Sequence, residues 1–308
     1  MTWLIFAVSA PLLWSIVNHA DKYLIDKYFK HSGKGVGSIM LYSTLFSIIV
    51  IPVVFYLNSE VILSISNTEK LILILSGLLN ALAIFFYIFA LNEDETSVIM
   101  PFFQMISVFA YIQGFFLLGE SLTKNQTIAS FLIVFGALIL STEKNPEGKI
   151  RFKKKAIFFA LISSFLFAGY SSLFKYGTLQ EGTFWSSIFW EHFGILLFGL
   201  CLFVFKSNYR KDFLSSIKES GKSILALNIG SELLTATGNA FAVYASLLTT
   251  LALANVVING AQPVFVFLLG ILITILFPKI TEEDISKGAI AKKAFAIIIM
   301  IIGTTFLS

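Results

Sequence analysis

The chain is built from long apolar runs that are separated by short polar breaks. About 20 mostly apolar residues cross the hydrocarbon core of a bilayer as a helix, and the sequence contains runs near that length from one end to the other. They cover approximately residues 3–22, 37–57, 70–91, 96–118, 126–142, 156–176, 183–205, 223–247, 251–277 and 290–307. The pattern therefore predicts an all-α integral membrane protein with ten transmembrane helices.

Short segments of the second half of the chain resemble segments of the first half, and they occur in the same order. Sliding one half over the other aligns residues 159–176 with residues 6–23, and a slightly longer shift superposes Gln262 on Gln104. Each copy holds five helices, an odd number, so the second copy must enter the membrane from the opposite face. We therefore predict two inverted five-helix repeats, at residues 1–145 and 150–308.

Composition agrees with a membrane protein. Apolar residues make up 57% of the chain, charged residues 13%, and the mean hydropathy is +0.86, whereas soluble domains carry roughly 25% charged residues. The net charge of +4 does not indicate a nucleic-acid partner, because most lysines and arginines lie in loops between runs. Nearly all of them follow odd-numbered runs, and the positive-inside rule alone would then place both termini outside.

Polar side chains recur inside several runs at helical spacing. Asn228, Glu232, Thr235 and Asn239 follow one helical face of the eighth run. Shorter stripes are Asn255, Asn259 and Gln262 in the ninth run, Gln104, Ser107 and Tyr111 in the fourth, and Trp14, Asn18 and Lys22 in the first. Such stripes either line a polar cavity or hydrogen-bond across packed helices, and the four stripes together favour a cavity. The residues predicted to bind substrate are Trp14, Asn18, Lys22, Asn80, Gln104, Tyr111, Lys175, Asn239, Asn259 and Gln262.

Ionisable residues inside the runs are candidates for proton coupling, and we assign Glu191, Glu232 and His19 to that role. Glu191 lies roughly 12 Å and Glu232 roughly 13 Å inside its helix, too deep for either carboxylate to reach the interface easily. Each is therefore paired with a cation, protonated, or exposed to a water-filled cavity; a permanently paired structural carboxylate is the alternative. His19 beside Asp21 can also be a hydrogen-bonded spacer.

The repeat alignment superposes Lys22 on Lys175, and both stand at helix ends. Lysines in such positions commonly extend to the membrane interface. The alternative is a pair of cations, one near each mouth of a cavity. They would bind an anionic substrate group or compensate Glu232 and Glu191.

The segment from residue 101 to residue 140 carries the most specific motif. Gly119-Glu120 and Leu122-Thr123 precede a fifth run that contains Gly136. In these residues the chain resembles the EamA-type transporters of the drug/metabolite transporter superfamily, whose members look like two five-helix repeats. The second copy has Phe277-Pro278 in place of Gly-Glu. The resemblance implies export or uptake of small metabolites, amino acids or their analogues through a central cavity that is lined mainly by the first, third and fourth helices of each repeat. It also implies cytoplasmic termini, which opposes the charge count.

No enzyme motif occurs: HExxH, GxxxxGK[ST], GxSxG and clustered Cys and His at metal spacing are absent from the sequence. We therefore predict no enzyme activity, no cofactor and no metal. The leading hypothesis is a secondary active transporter that moves a small polar metabolite, such as an amino acid or amine, by alternating access, with proton coupling if a carboxylate titrates. A lipid-head-group flippase or membrane-embedded enzyme is the alternative. The expected location is the bacterial inner membrane, and homodimerisation is left open.

Overall fold

The computed structural model describes residues 2–24, 35–93, 102–141, 154–180, 183–219, 222–276, 287–304 and 306. Within these ranges the regular structure is helical, and no strand occurs. The helices are α1 (Thr2–Leu24), α2 (Gly35–Leu45), α3 (Ser47–Ser64), α4 (Asn67–Glu93), α5 (Met105–Leu118), α6 (Lys124–Ser141), α7 (Lys154–Gln180), α8 (Phe184–Phe205), α9 (Ser207–Glu219), α10 (Lys222–Leu248), α11 (Leu251–Leu276) and α12 (Lys287–Thr304).

Within the described ranges, six segments are long and apolar enough to cross a membrane. They are Thr2–Ala20, Ile39–Ser64, Asn67–Ala90, Lys154–Leu179, Phe184–Phe205 and Leu251–Leu276. The helices α5 and α6 are apolar but shorter. The prediction of an all-α integral membrane protein is therefore confirmed in its coarse form, while the ten-helix inverted repeat stays a prediction.

The second predicted run is wrong in its boundaries. Phe46, the residue between α2 and α3, keeps helical dihedral angles (φ −55°, ψ −28°), and the helix continues through α3 to Ser64. The run was expected to stop at residue 57 because a polar stretch follows. Instead, the chain bends at Asn58, whose φ of −145° and ψ of 28° are not helical, and the helix resumes beyond it.

The polar stretch after the seventh run is a helix rather than a loop. This helix, α9, packs against α2 and α8. The ring of Phe213 meets the ring of Tyr42 edge-to-face with centroids 4.9 Å apart, and Ser216 Oγ donates to Tyr42 Oη at 3.3 Å. Burial raises the pKa of Tyr209 above its usual range, and the charge of Asp212 adds to the shift. The sequence prediction missed α9 because the segment is too polar to span a membrane.

Helix packing sets up the candidate site. The helix α4 packs along α7 and α8, α1 packs along α10 and α11, and α6 packs along α12. Buried alanines lie in the contacts of α1, α6, α11 and α12, since small residues allow helices to approach closely in a membrane. In contrast to the extensive contact of α8 with α4, α10 touches α2 only lightly. A space therefore remains beside α10.

Candidate functional site

A pocket of about 210 Å³ lies between α2, α3, α9 and α10. We call it the Glu232 pocket. Its lining residues are Tyr42, Leu45, Phe46, Ile49, Phe213, Ile217, Asn228, Ile229 and Glu232. The residues around Phe46 and the inner face of α9 supply most of the apolar wall, while α10 supplies the carboxylate and the amide. Among these nine residues there is one acidic side chain and no basic one.

The Glu232 carboxylate is half-buried at this pocket. Ser43, on α2, donates its hydroxyl to Glu232 Oε1 at 2.7 Å. Asn228 lies one helical turn earlier on the same face of α10. The carboxylate is thus held in place across the α2–α10 gap while it remains at the pocket wall, where it can attract a cationic group.

The second carboxylate, Glu191, is in a closed environment on α8. It is only 1% exposed, and Asn80, on α4, donates through Nδ2 to its Oε1 at 3.1 Å. The Tyr170 hydroxyl of α7 lies beside this carboxylate. Neither this hydroxyl nor Glu191 Oε2 completes a hydrogen bond within the described ranges. His192 Nδ1 is 3.7 Å from Glu191 Oε2 and 3.0 Å from the Ile188 carbonyl oxygen.

Two glycines allow α4 and α8 to meet backbone against backbone next to Glu191. A Cβ atom on Gly77 would overlap the carbonyl oxygen of Glu191, and one on Gly194 would overlap the carbonyl oxygen of Ile74. Thr183 begins α8 with a capping box that involves Ser186. The helix start and the glycine contact together fix Glu191 against α4.

A charged cluster joins the end of α5 to three other helices. Gly119 ends α5 with a φ of +66°, and the next residue, Glu120, accepts the Leu251 backbone N–H on Oε2 at 2.6 Å. Its Oε1 forms an ion pair with Lys175 of α7, which also donates to the Thr249 carbonyl oxygen. Lys175 is 4% exposed. It therefore neither extends to the interface nor compensates Glu191 or Glu232, as the sequence had suggested; its partner is Glu120.

Other predicted site residues, for substrate binding or for proton coupling, form hydrogen bonds between or within helices. Gln104 Nε2 donates to the Asn259 carbonyl oxygen at 3.1 Å, and Asn259 Nδ2 donates to the Asn255 carbonyl oxygen at 2.8 Å. His19 Nε2 lies 3.1 Å from the Val266 carbonyl oxygen. These contacts fit the alternative in which the polar stripes hold helices together.

The structure does not bring all of the predicted substrate residues into one site. Tyr111 is 42% exposed, and the Trp14 ring packs under Gly238. None of the predicted substrate residues whose side chains the structure describes lines the Glu232 pocket, and Asn18, Asn239 and Gln262 are half-buried elsewhere. The side chain of Lys22 lies outside the described residues. Of the polar stripe predicted on the eighth run, Asn228 and Glu232 line the Glu232 pocket.

Comparison with known proteins decides the family of the first half. Residues 1–142 match the EamA-like transporter family. The resemblance predicted from Gly119-Glu120 and Leu122-Thr123 is confirmed over this range. EamA-like proteins are transporters, and the six apolar segments agree with an integral membrane protein. No curated protein matches the chain in sequence.

One crystal structure of a protein is similar over the whole length. It shares 16% sequence identity, with a TM-score of 0.66, and the alignment covers 100% of this chain and 96% of that chain. At this identity the likeness shows the fold alone. The EamA-like half and the rest of the chain therefore share one fold with a solved protein over nearly its full length.

Sequence reasoning overlooked several residues of the EamA-like half that the structure makes important. Ser43 and Gly77 carry no motif, and a serine or glycine within an apolar run gives no signal of its partner. Glu120 was noted only as part of the family motif. Its contacts with Lys175 and Leu251 join positions that are far apart in the sequence, and only the folded chain brings them together.

The left-handed backbone at Gly119 is expected to make a glycine-specific contribution to stability. Replacing Gly119 with Ala should lower the free energy of unfolding by about 1 kcal/mol, because a left-handed conformation costs an L residue roughly that much, and no atom lies within 4 Å of the added Cβ. Asn tolerates this conformation better, so Gly119→Asn should cost less. Unfolding in mixed micelles would measure both, and equal losses would contradict the conformational explanation.

Proposed function

We propose that the chain is a secondary transporter that moves a small amine-bearing metabolite across the membrane by alternating access. The Glu232 pocket receives the substrate in the conformation described. The observation that carries this proposal is a carboxylate at an open pocket beside α10, while the contact of α8 with α4 is closed over Glu191. The EamA-like match of residues 1–142 supports transport as the activity.

The predicted inverted repeat pairs α10 with α4, and the α2–α3 segment with α8. The contact between α4 and α7 then corresponds to the contact between α10 and α1, and both are extensive. The contact between α4 and α8 corresponds to that between α10 and α2, and only the first is extensive. Such an asymmetry between equivalent interfaces is what one end open and one end closed would produce.

The lining of the Glu232 pocket favours an amine over an amino acid. Glu232 can bind an ammonium group, with Asn228 as a further hydrogen-bonding group and apolar walls for the rest of the molecule. A zwitterion would also bring a carboxylate, and the nine described lining residues include no cation to receive it. Since Glu232 can hold a proton or an ammonium group but not both at once, the proposal includes exchange of protons for amines.

Transport by reconstituted protein tests this function. Vesicles with an imposed pH gradient should accumulate radiolabelled aromatic or aliphatic monoamines, and Glu232→Gln should lower the initial rate at least about tenfold because the ammonium loses its counter-ion. The matched control is Glu60→Gln, which removes an exposed carboxylate of α3 outside the pocket and should leave the rate unchanged.

Two outcomes would overturn the proposal. One is amine transport that is equally fast in Glu232→Gln and in the unaltered protein. The other is the absence of amine transport together with movement of fluorescent phospholipids between the leaflets. The second result would favour the lipid alternative, for which the amphipathic α9 at the pocket wall is the relevant feature.

A further inference from the structure

The ion pair between Glu120 and Lys175 has no role in the proposed function. Glu120 follows α5, Lys175 is near the end of α7, and both contact the turn between α10 and α11 through Leu251 and Thr249. One charge pair therefore connects the ends of four helices. It joins a residue of the first predicted repeat to two segments of the second.

We propose that this ion pair, the Glu120–Lys175 latch, holds closed the end of the helix bundle that covers Glu191. The inference rests on the proposed function, since a latch has meaning only if the two ends of the bundle open in turn. It assigns Glu120 and Lys175 to control of access and not to substrate binding.

The latch lies at the same end of the bundle as the start of α8. Lys175 is in the last two turns of α7, and α8 begins shortly after α7 ends. Thr178 Oγ1, one turn beyond Lys175, donates to Ser187 Oγ of α8 at 2.8 Å. Ser187 is one turn before Glu191 on the same face. The charged cluster and the closed carboxylate are thus connected by one short chain of contacts.

The Glu232 pocket lies at the other end of the bundle. Along α10, Glu232 and the turn at Thr249 are separated by roughly 25 Å at the helical rise of 1.5 Å per residue. An ion pair at that distance has no direct effect on the pocket. It can, however, fix which end is closed, because opening at the latch would separate a buried lysine from its carboxylate.

The sequence supports a latch at one end only. In the repeat alignment Lys22 takes the place of Lys175, but Pro278 takes the place of Glu120. A proline has neither a charge for a lysine nor a side-chain acceptor for a backbone N–H. The equivalent ion pair cannot form from these residues at the opposite end. This difference would make the conformation with the Glu191 end closed the preferred one.

Cysteine labelling from water tests the latch without any substrate. In a Cys201→Ala background, Ser187→Cys places one thiol at the Glu191 end of the bundle, and Ser43→Cys places one thiol beside Glu232. A membrane-impermeant maleimide is supplied to both faces of the membrane. With the latch intact, it should label Ser43→Cys about tenfold faster than Ser187→Cys.

Removing the charge of the latch should reverse this order. Glu120→Gln keeps an oxygen for the Leu251 N–H but loses the ion pair, so labelling at position 187 should rise severalfold while labelling at position 43 falls. Lys175→Met should produce the same reciprocal change. The matched control is Glu69→Gln, which removes a carboxylate that is bound locally by Ser66 at the start of α4; it should change neither rate.

The outcomes separate the latch from general loosening and from the proposed function. Labelling that rises at both positions, or changes at neither, would overturn the latch. A reciprocal change in a protein that transports no amine would retain the latch and reject the proposed substrate. If Glu120→Gln does not fold, Lys175→Met and the double variant give the same comparison.

Discussion

Gly194→Ala and Gly77→Ala are each expected to lower the free energy of unfolding by about 3 kcal/mol, at the upper end of the cost of overpacking a core. The added methyl group would overlap a backbone carbonyl oxygen of the facing helix, and its next contacts are backbone atoms as well. No side chain can rotate away to relieve the overlap. The interface of α4 with α8 must therefore open, and Glu191 with it.

The matched control for this pair is Gly230→Ala. Gly230 is a helical glycine of α10 with no atom within 4 Å of an added Cβ. Alanine favours a helix over glycine by about 1 kcal/mol, so this variant should be as stable as the unaltered protein or more stable. Unfolding by a denaturing detergent, followed by tryptophan fluorescence, measures all three variants. Equal stabilities would show that the glycine contact is not required.

Glu120→Gln is expected to destabilise the protein more than Lys175→Met does. Removing one member of a buried ion pair costs about 3–5 kcal/mol when the other charge stays buried. Lys175 is 4% exposed, whereas the Glu120 side chain is 17% exposed and can be hydrated when its partner is lost. We therefore expect a loss of about 3 kcal/mol for Glu120→Gln and about 1–2 kcal/mol for Lys175→Met.

The double variant distinguishes a coupled pair from two independent residues. Once neither charge is present, no isolated ion remains in the interior, so Glu120→Gln with Lys175→Met should cost less than the sum of the single changes. The same detergent unfolding measurement provides the cycle. Strict additivity would mean that the two side chains contribute separately, and the ion pair would then have no energetic role.

The helical part of the fold could be predicted from the sequence because each helix satisfies its own backbone hydrogen bonds. The length of each apolar run therefore predicted a membrane-spanning helix directly. The continuation of α3 beyond residue 57 gave no comparable signal, because polar residues follow that position. The helix α9 did leave one: Tyr209, Phe213 and Ile217 recur at helical spacing. A prediction based on membrane-spanning length alone does not use that signal.

The candidate site could be predicted only in part. Glu191 and Glu232 were identified as unusual because a charge inside an apolar helix is costly wherever the helix packs. Their difference was not foreseen. Asn80 and Tyr170 enclose the Glu191 carboxylate. The Glu232 carboxylate instead lies at a pocket, with Ser43 as its hydrogen-bond donor. Which of the two is enclosed depends on contacts between distant helices.

The sequence by itself determined that the chain is a helical membrane protein, that it resembles the EamA-type transporters, which the match of residues 1–142 confirms for that range, and that two carboxylates lie within apolar runs. These properties follow from composition, run length and local motifs, which need no knowledge of neighbours. Only the tertiary structure decided that Lys175 pairs with Glu120, that two glycines close α4 against α8, and that Glu232 borders a pocket. Those are properties of helix pairs, and the energy of a pair depends on distances that the linear order of residues does not contain.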